Sequence, residues 1–135
     1  MDLHSVAVYL AEQDIGLRIS GSEKNLFVHH MPARVASGVL LRQSFVGTPV
    51  DHELPGFYKT SFQVIVRHGD YKKGEALALS VRGVLTIRME RQVGNMWVRH
   101  ILPRHEPLVY PVSEGDRLEW SINFDAVYNS QSGVT

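Results

Sequence analysis

Apolar residues recur along the chain with two periods, one near 3.6 and one of 2, and the switches between them mark out the elements. Leu3, Val6, Ala7, Leu10 and Ala11 fall at helical spacing behind Asp2, a natural cap, and Gly16 stands where a left-handed C-terminal residue belongs. A helix is therefore predicted over 2–14. Leu26 to His30 predicts a short strand stopped by Pro32, and Val39 to Phe45 a second, bounded by Gly38 and Gly47. The ten residues from Gly47 to Gly56 contain two Pro and two Gly, which predicts a long exposed loop.

From Phe57 to His68 the period is 2, with Phe62, Val64 and Val66 on one face and Ser61, Gln63, Ile65 and Arg67 on the other. An apolar Ile65 on the second face argues for a central strand. Asp70 then caps a second helix. Its predicted buried stripe is Leu77, Val81, Val84 and Leu85, with Ala76, Ser80 and Gly83 keeping that side thin against a sheet. Thr86 to Val93 and Met96 to Leu102 flank Gly94-Asn95, a two-residue hairpin signal. Pro103, Pro107 and Pro111 interrupt the next stretch. Arg117 to Tyr128 alternates again, with Leu118, Trp120, Ile122 and Phe124 on one face. The order predicts an α+β fold: a single mixed, mainly antiparallel β-sheet packed by two α-helices, with a long loop around 47–56. It forms one domain over 1–128, followed by a disordered tail over 129–135.

Composition narrows this little: 135 residues suit one domain, and 44% hydrophobic with 21% charged residues are ordinary globular values. No apolar run reaches the ~18 residues of a membrane span, and the start, Met1-Asp2-Leu3-His4, lacks the basic character of a signal peptide. The absence of Cys excludes disulfides, thiolate zinc sites and Cys nucleophiles, and is compatible with a reducing compartment. Fourteen basic residues balance fourteen acidic ones, which argues against a generic nucleic-acid binder. The neutrality is a sum of unequal parts. Residues 1–30 carry a net of −2, residues 31–104 a net of +6 and residues 105–135 a net of −4. A basic centre with acidic ends is what a self-associating protein can use to orient its neighbours.

The seven His do not assemble into a site at this level. His29 and His30 are adjacent and would point to opposite faces of a strand, His100 and His105 lack helical spacing, and no HExxH or His-x-His is present. A metal or ligand site would have to gather distant residues such as His52, His68 and His105. Phosphate loops, dinucleotide fingerprints and nucleophile elbows are also missing. Around Arg82, Arg88, Arg91 and Arg99 the one nearby aromatic is Trp97, so the alternating aromatic and basic surface of a stacking nucleic-acid binder is lacking. The residues point to no catalysis, metal or cofactor.

Several segments together carry a family resemblance: Leu10-Ala-Glu-Gln-Asp-Ile-Gly16 closing the first helix, Asn25-Leu-Phe-Val-His-His-Met-Pro32, Gly38-Val-Leu-Leu41, and Phe62-Gln-Val-Ile-Val-Arg67 followed by Asp70-Tyr71. Pro107-Leu-Val-Tyr110 and Ser113-Glu-Gly-Asp-Arg-Leu-Glu-Trp-Ser-Ile-Asn-Phe124 complete the set. Over most of residues 1–128 this order resembles the tail terminator (tail completion) proteins of long-tailed bacteriophages. The resemblance implies a virion protein that closes into a homohexameric ring, caps the tail tube, stops its polymerisation and meets the head connector. DNA would pass through the lumen without sequence-specific binding, no membrane would be involved, and assembly would take place in the host cytoplasm. Other head–tail connectors (a stopper or adaptor), a tube-like subunit and a small metal- or ligand-binding enzyme are the alternatives.

A ring needs two different surfaces that meet head to tail. The charge layout offers Arg82, Arg88, Arg91 and Arg99 on one side and Glu119, Asn123 and Asp125 on the other as candidate subunit-interface residues. Val50, Asp51, His52, Glu53 and Leu54 in the loop, Gly94 and Asn95 in the hairpin turn, and Trp97 beside it are the candidates for partner docking.

Overall fold

A computed structural model describes residues 1–44, 56–111 and 116–130. Helix α1 (Leu3–Ala11) is followed by strands β1 (Leu26–Val28), β2 (Gly38–Gln43) and β3 (Phe57–His68). Helix α2 (Tyr71–Leu85) leads to β4 (Arg91–Val93), β5 (Met96–Pro103), β6 (Leu108–Pro111) and β7 (Leu118–Ser130). The seven strands make one sheet in the order β1-β2-β3-β7-β5-β4, with β6 also on β7. Only β1 and β2 run parallel; every other named pair is antiparallel. This is the mixed, mainly antiparallel α+β architecture that the periodicity predicts.

Both helices begin as the sequence dictates. The Asp2 carboxylate accepts from the backbone N–H of Ser5 and from its hydroxyl, and these bonds hold its pKa below the usual carboxylate value. Asp70 accepts from the N–H of Lys73 at 3.2 Å. α1 ends earlier than its predicted limit: Asp14 already adopts φ 58°, two residues before Gly16 does the same at φ 84°. β1 stops at Val28 because His29 turns to φ 70°, so His29 and His30 stand exposed beyond the strand.

β3 and β7 form the spine, paired from Phe57↔Asn129 to His68↔Leu118. Toward the helices they turn Phe62, Val64, Val66, Trp120, Ile122 and Phe124, all at 1% exposure or less. The Phe62 and Phe124 rings stack at 5.2 Å between centroids. α1 adds Leu3, Val6, Ala7 and Leu10 to this core, and α2 adds Ala78, Val81 and Leu85. Burying each of the larger side chains stabilises the fold by about 1.5–3 kcal/mol. Ile65 faces the other way and closes a smaller cluster with Phe27, Met31 and Leu40, consistent with its central strand.

Three details differ from the sequence expectation. The thin side of α2 is Gly74 and Ala78, both buried, whereas Ala76, Ser80 and Gly83 face outward. Between Thr86 and Val93 the chain keeps one isolated bridge, Ile87↔Ile101, and a three-residue strand, with residues 88–90 unpaired between them. The proline-bounded stretch is not purely irregular: Leu108–Pro111 is a strand, and β7 extends to Ser130, so Asn129 and Ser130 belong to the sheet and not to a tail. Residues 131–135 and the loop candidates Val50, Asp51, His52, Glu53 and Leu54 lie outside the described residues.

Gly74 and Gly83 allow a paired test, since both interrupt the same helix. A Cβ on Gly74 would come within 2.1 Å of the buried Trp120 ring, while one on Gly83 meets nothing within 4 Å. Gly74→Ala should destabilise the protein by about 1–3 kcal/mol through overpacking. Gly83→Ala should stabilise it by roughly 0.5–1 kcal/mol through helix propensity. Urea unfolding of the two variants measures both signs.

Candidate assembly surface

The sheet face away from the helices is polar at its centre. Arg42, Gln63 and Asn123 lie in one register row across β2, β3 and β7. The Arg42 Nε donates to Gln63 Oε1 at 2.6 Å, and Gln63 Nε2 donates to Ser121 Oγ at 2.8 Å. Further along the same pair of strands, Arg67 and Glu119 are register partners joined by an ion pair at 2.9 Å, both side chains largely buried. The Arg67 guanidinium also donates to the carbonyls of Pro32 and Val35. Arg117 donates to the carbonyls of Ala33 and Val35 at 2.7 Å each. Two guanidinium groups thus fasten segment 32–35 onto the sheet. Partial burial, and next to it the charge of Glu119, push the Tyr110 hydroxyl above its usual pKa.

β5 and β6 share one edge of β7, and the junction between them is filled by side-chain chemistry. Arg104 N–H donates to the Asn123 carbonyl at 2.8 Å. The His105 ring sits beside it, with Nε2 3.3 Å from Asn123 N and 3.1 Å from its Nδ2, and Nδ1 2.7 Å from the Glu106 carbonyl. A donor on Nδ1 and an acceptor on Nε2 fit these contacts. His105 therefore serves as backbone filler where no strand reaches.

With these partners in place, the three candidates on β7 each have a partner within the subunit. Glu119 is taken by Arg67, Asn123 by His105, and Asp125 by Arg104 at 2.7 Å. Glu119 is closed off in this way, whereas the Asp125 side chain stays about 49% exposed within its pair. Of the basic candidates, Arg82 pairs with Glu106, and Arg99 bonds Asn129 Oδ1 and Glu90. Arg91 lies 4.7 Å from the centroid of the Tyr9 ring. Arg88 is exposed beside Met89, which is 83% exposed. Trp97 is half-buried and donates to Glu90 Oε1 at 2.7 Å. Gly94 and Asn95 are exposed, but Gly94, at φ 58°, abuts Ser5 of α1, so the turn is braced and does not project freely.

β6 adds a surface that none of the sequence candidates covers. Leu108, Val109 and Tyr110 are 60%, 43% and 40% exposed, and the outer edge of β6 has no strand partner among the described residues. Three β-forming apolar residues between prolines are its signal in the sequence, since Pro within a sheet is confined to edges and strand ends.

Among the described residues no group of three or more His, Cys, Asp or Glu is placed to hold a metal ion. No helix of the described residues is long and apolar enough to cross a membrane. His68 Nδ1 accepts from Asp70 N–H, and His105 is 18 positions from the Asn123 it holds, so both rings are engaged by neighbouring backbone.

Comparison with known proteins supplies what the geometry leaves open. A family model described as bacteriophage tail terminator protein matches residues 9–130. No curated protein sequence matches the chain. Among solved structures, a chain from the virion of a native gene transfer agent particle superposes with a TM-score of 0.67 at 16% identity, over 93% of this chain and 94% of its own. A second solved chain aligns over 91% of this chain and 88% of its own at 13% identity, with a TM-score of 0.48.

The buried ion pair gives a direct check on the polar face. Glu119→Ala leaves the Arg67 guanidinium with only its two carbonyl partners and should cost about 2–3 kcal/mol. A double-mutant cycle with Arg67→Met, read by thermal unfolding, should give losses that are less than additive, because Arg67→Met also removes the bonds to the Pro32 and Val35 carbonyls.

Proposed function

Because this chain belongs to the bacteriophage tail terminator family, and is a structural protein of the virion tail, we propose that its copies close into a hexameric ring on the last ring of tail-tube subunits. The ring stops tube polymerisation and presents the tail side of the head–tail joint. DNA passes through its lumen, held by no base-reading contact. The ring assembles in the host cytoplasm and ends at the head-proximal end of the tail. The chain does this by docking alone, with no catalytic residue, metal or cofactor.

The family match over residues 9–130 carries this reading. The structure supports it through a rigid sheet whose exposed features differ from side to side: an apolar edge at β6 and a basic projection at Arg88. Unlike surfaces on one protomer are what a closed head-to-tail ring requires. Arg88 is the basic candidate best placed to act outside its own subunit, because Arg82 and Arg99 are ion-paired and Arg91 lies over the Tyr9 ring, while Arg88 is exposed.

Electron microscopy of tail tubes polymerised with and without the purified protein tests the reading. Rings at one tube end, and tubes of fixed length only when the protein is present, are expected. Tubes of unchanged length with the protein bound nowhere would overturn it. A head-bound ring that leaves tube length unaffected would point instead to a connector role.

A further inference from the structure

Five strands of the sheet share common register rows. Leu26, Val39, Val66, Trp120 and Val109 stand side by side across β1, β2, β3, β7 and β6. Phe27, Leu40, Ile65, Ser121 and Leu108 form the next row. β1 and β6 are therefore the opposite ends of one block, at the same height along it. They also run in opposite directions, since β1 is parallel to β7 through two antiparallel steps and β6 is antiparallel to β7.

Both ends lack a strand partner among the described residues. On β1 the outward N–H of Leu26 is taken by the Arg18 carbonyl at 3.1 Å, and strand alternation turns the polar groups of Val28 outward as well. On β6 no charged side chain guards the edge, and Leu108, Val109 and Tyr110 are exposed around it. Pro107 and Pro111 leave Val109 as the one outward N–H of this short edge, so another strand can be templated there through the Val109 pair. Charge favours a second copy of this chain as the occupant. Asp116, exposed, and Glu106, which shares its charge with Arg82, flank β6. Lys24, exposed over the Phe27 ring at 5.0 Å, and Arg18, which shares its charge with Glu23, flank β1.

We infer that neighbouring subunits join by strand pairing, the open edge of β6 on one copy lying antiparallel to the open edge of β1 on the next. The sheet then continues from subunit to subunit. Leu108 and Tyr110 fall on the face of the neighbour's Phe27, and Val109 on the face of its Leu26 and Val28. The two edges are unlike, so the contact is head to tail and repeats around a closed ring. The internal pairing of Glu119, Asn123 and Asp125 leaves this contact free of the charge competition that a β7 interface would carry. This pairing rests on the ring reading proposed for the family.

The chain has no Cys, so introduced cysteines report only on each other. The variant carrying Val28→Cys and Val109→Cys, assembled with tail tubes and mildly oxidised, should give a ladder of disulfide-linked copies up to the ring size. Each single variant should give none. Separately, the variant carrying Leu108→Lys and Val109→Lys should lose the ring while keeping the melting temperature of the monomer, because these side chains are 60% and 43% exposed. Rings that form normally but yield no ladder, or that survive both lysines, would overturn the strand pairing and leave the ring reading standing. Monomers alone and on tubes would overturn both.

Discussion

A strand in the middle of a sheet must have its backbone groups satisfied on both edges, and β7 is thirteen residues long. β3 matches it along one edge almost completely, a pairing of two long alternating segments. On the other edge no single strand is long enough. β5 covers Phe124 to Ser130 and β6 covers Leu118 to Ser121, and the gap at Asn123 is closed by the Arg104 backbone and the His105 ring. The remainder of the fold depends on that division. β5 carries β4 and the Ile87 bridge outward, β6 ends as a free edge, and the helices lie over the apolar side of the β3–β7 spine.

The long periodic segments are legible in the sequence, because their burial is dictated by local alternation. Phe62, Val64 and Val66 on one face and Ile65 on the other predict a central strand, and the register confirms it. The features that local pattern does not reveal depend on partners distant in sequence. Gly74 looks like a weakness in a helix until Trp120, 46 positions on, is seen to need its missing Cβ. Glu119, Asn123 and Asp125 look like a polar face until Arg67, His105 and Arg104 are placed beside them. β6 is masked by its prolines, which break strands in a sheet interior but are tolerated at an edge.

The same contrast governs the charge layout. Segregation along the sequence, −2, +6 and −4, suggests surfaces of opposite sign. Folding converts much of that separation into internal bonds, since the basic middle strands and the acidic last strand are neighbours in the sheet. Arg34, Lys72, Lys73 and Arg88 are among the charges that stay exposed.

Segment 32–35 is held on the sheet by Arg67 and Arg117 through the carbonyls of Pro32, Ala33 and Val35. A clamp that grips only main-chain oxygens is indifferent to the side chains it passes over. Ala33 and Arg34 are exposed there and take no part in the clamp through their side chains. Val35 instead packs against the Phe27 and Met31 cluster, so the freedom of composition is confined to positions 33 and 34, two exposed side chains carried at a fixed height over the sheet.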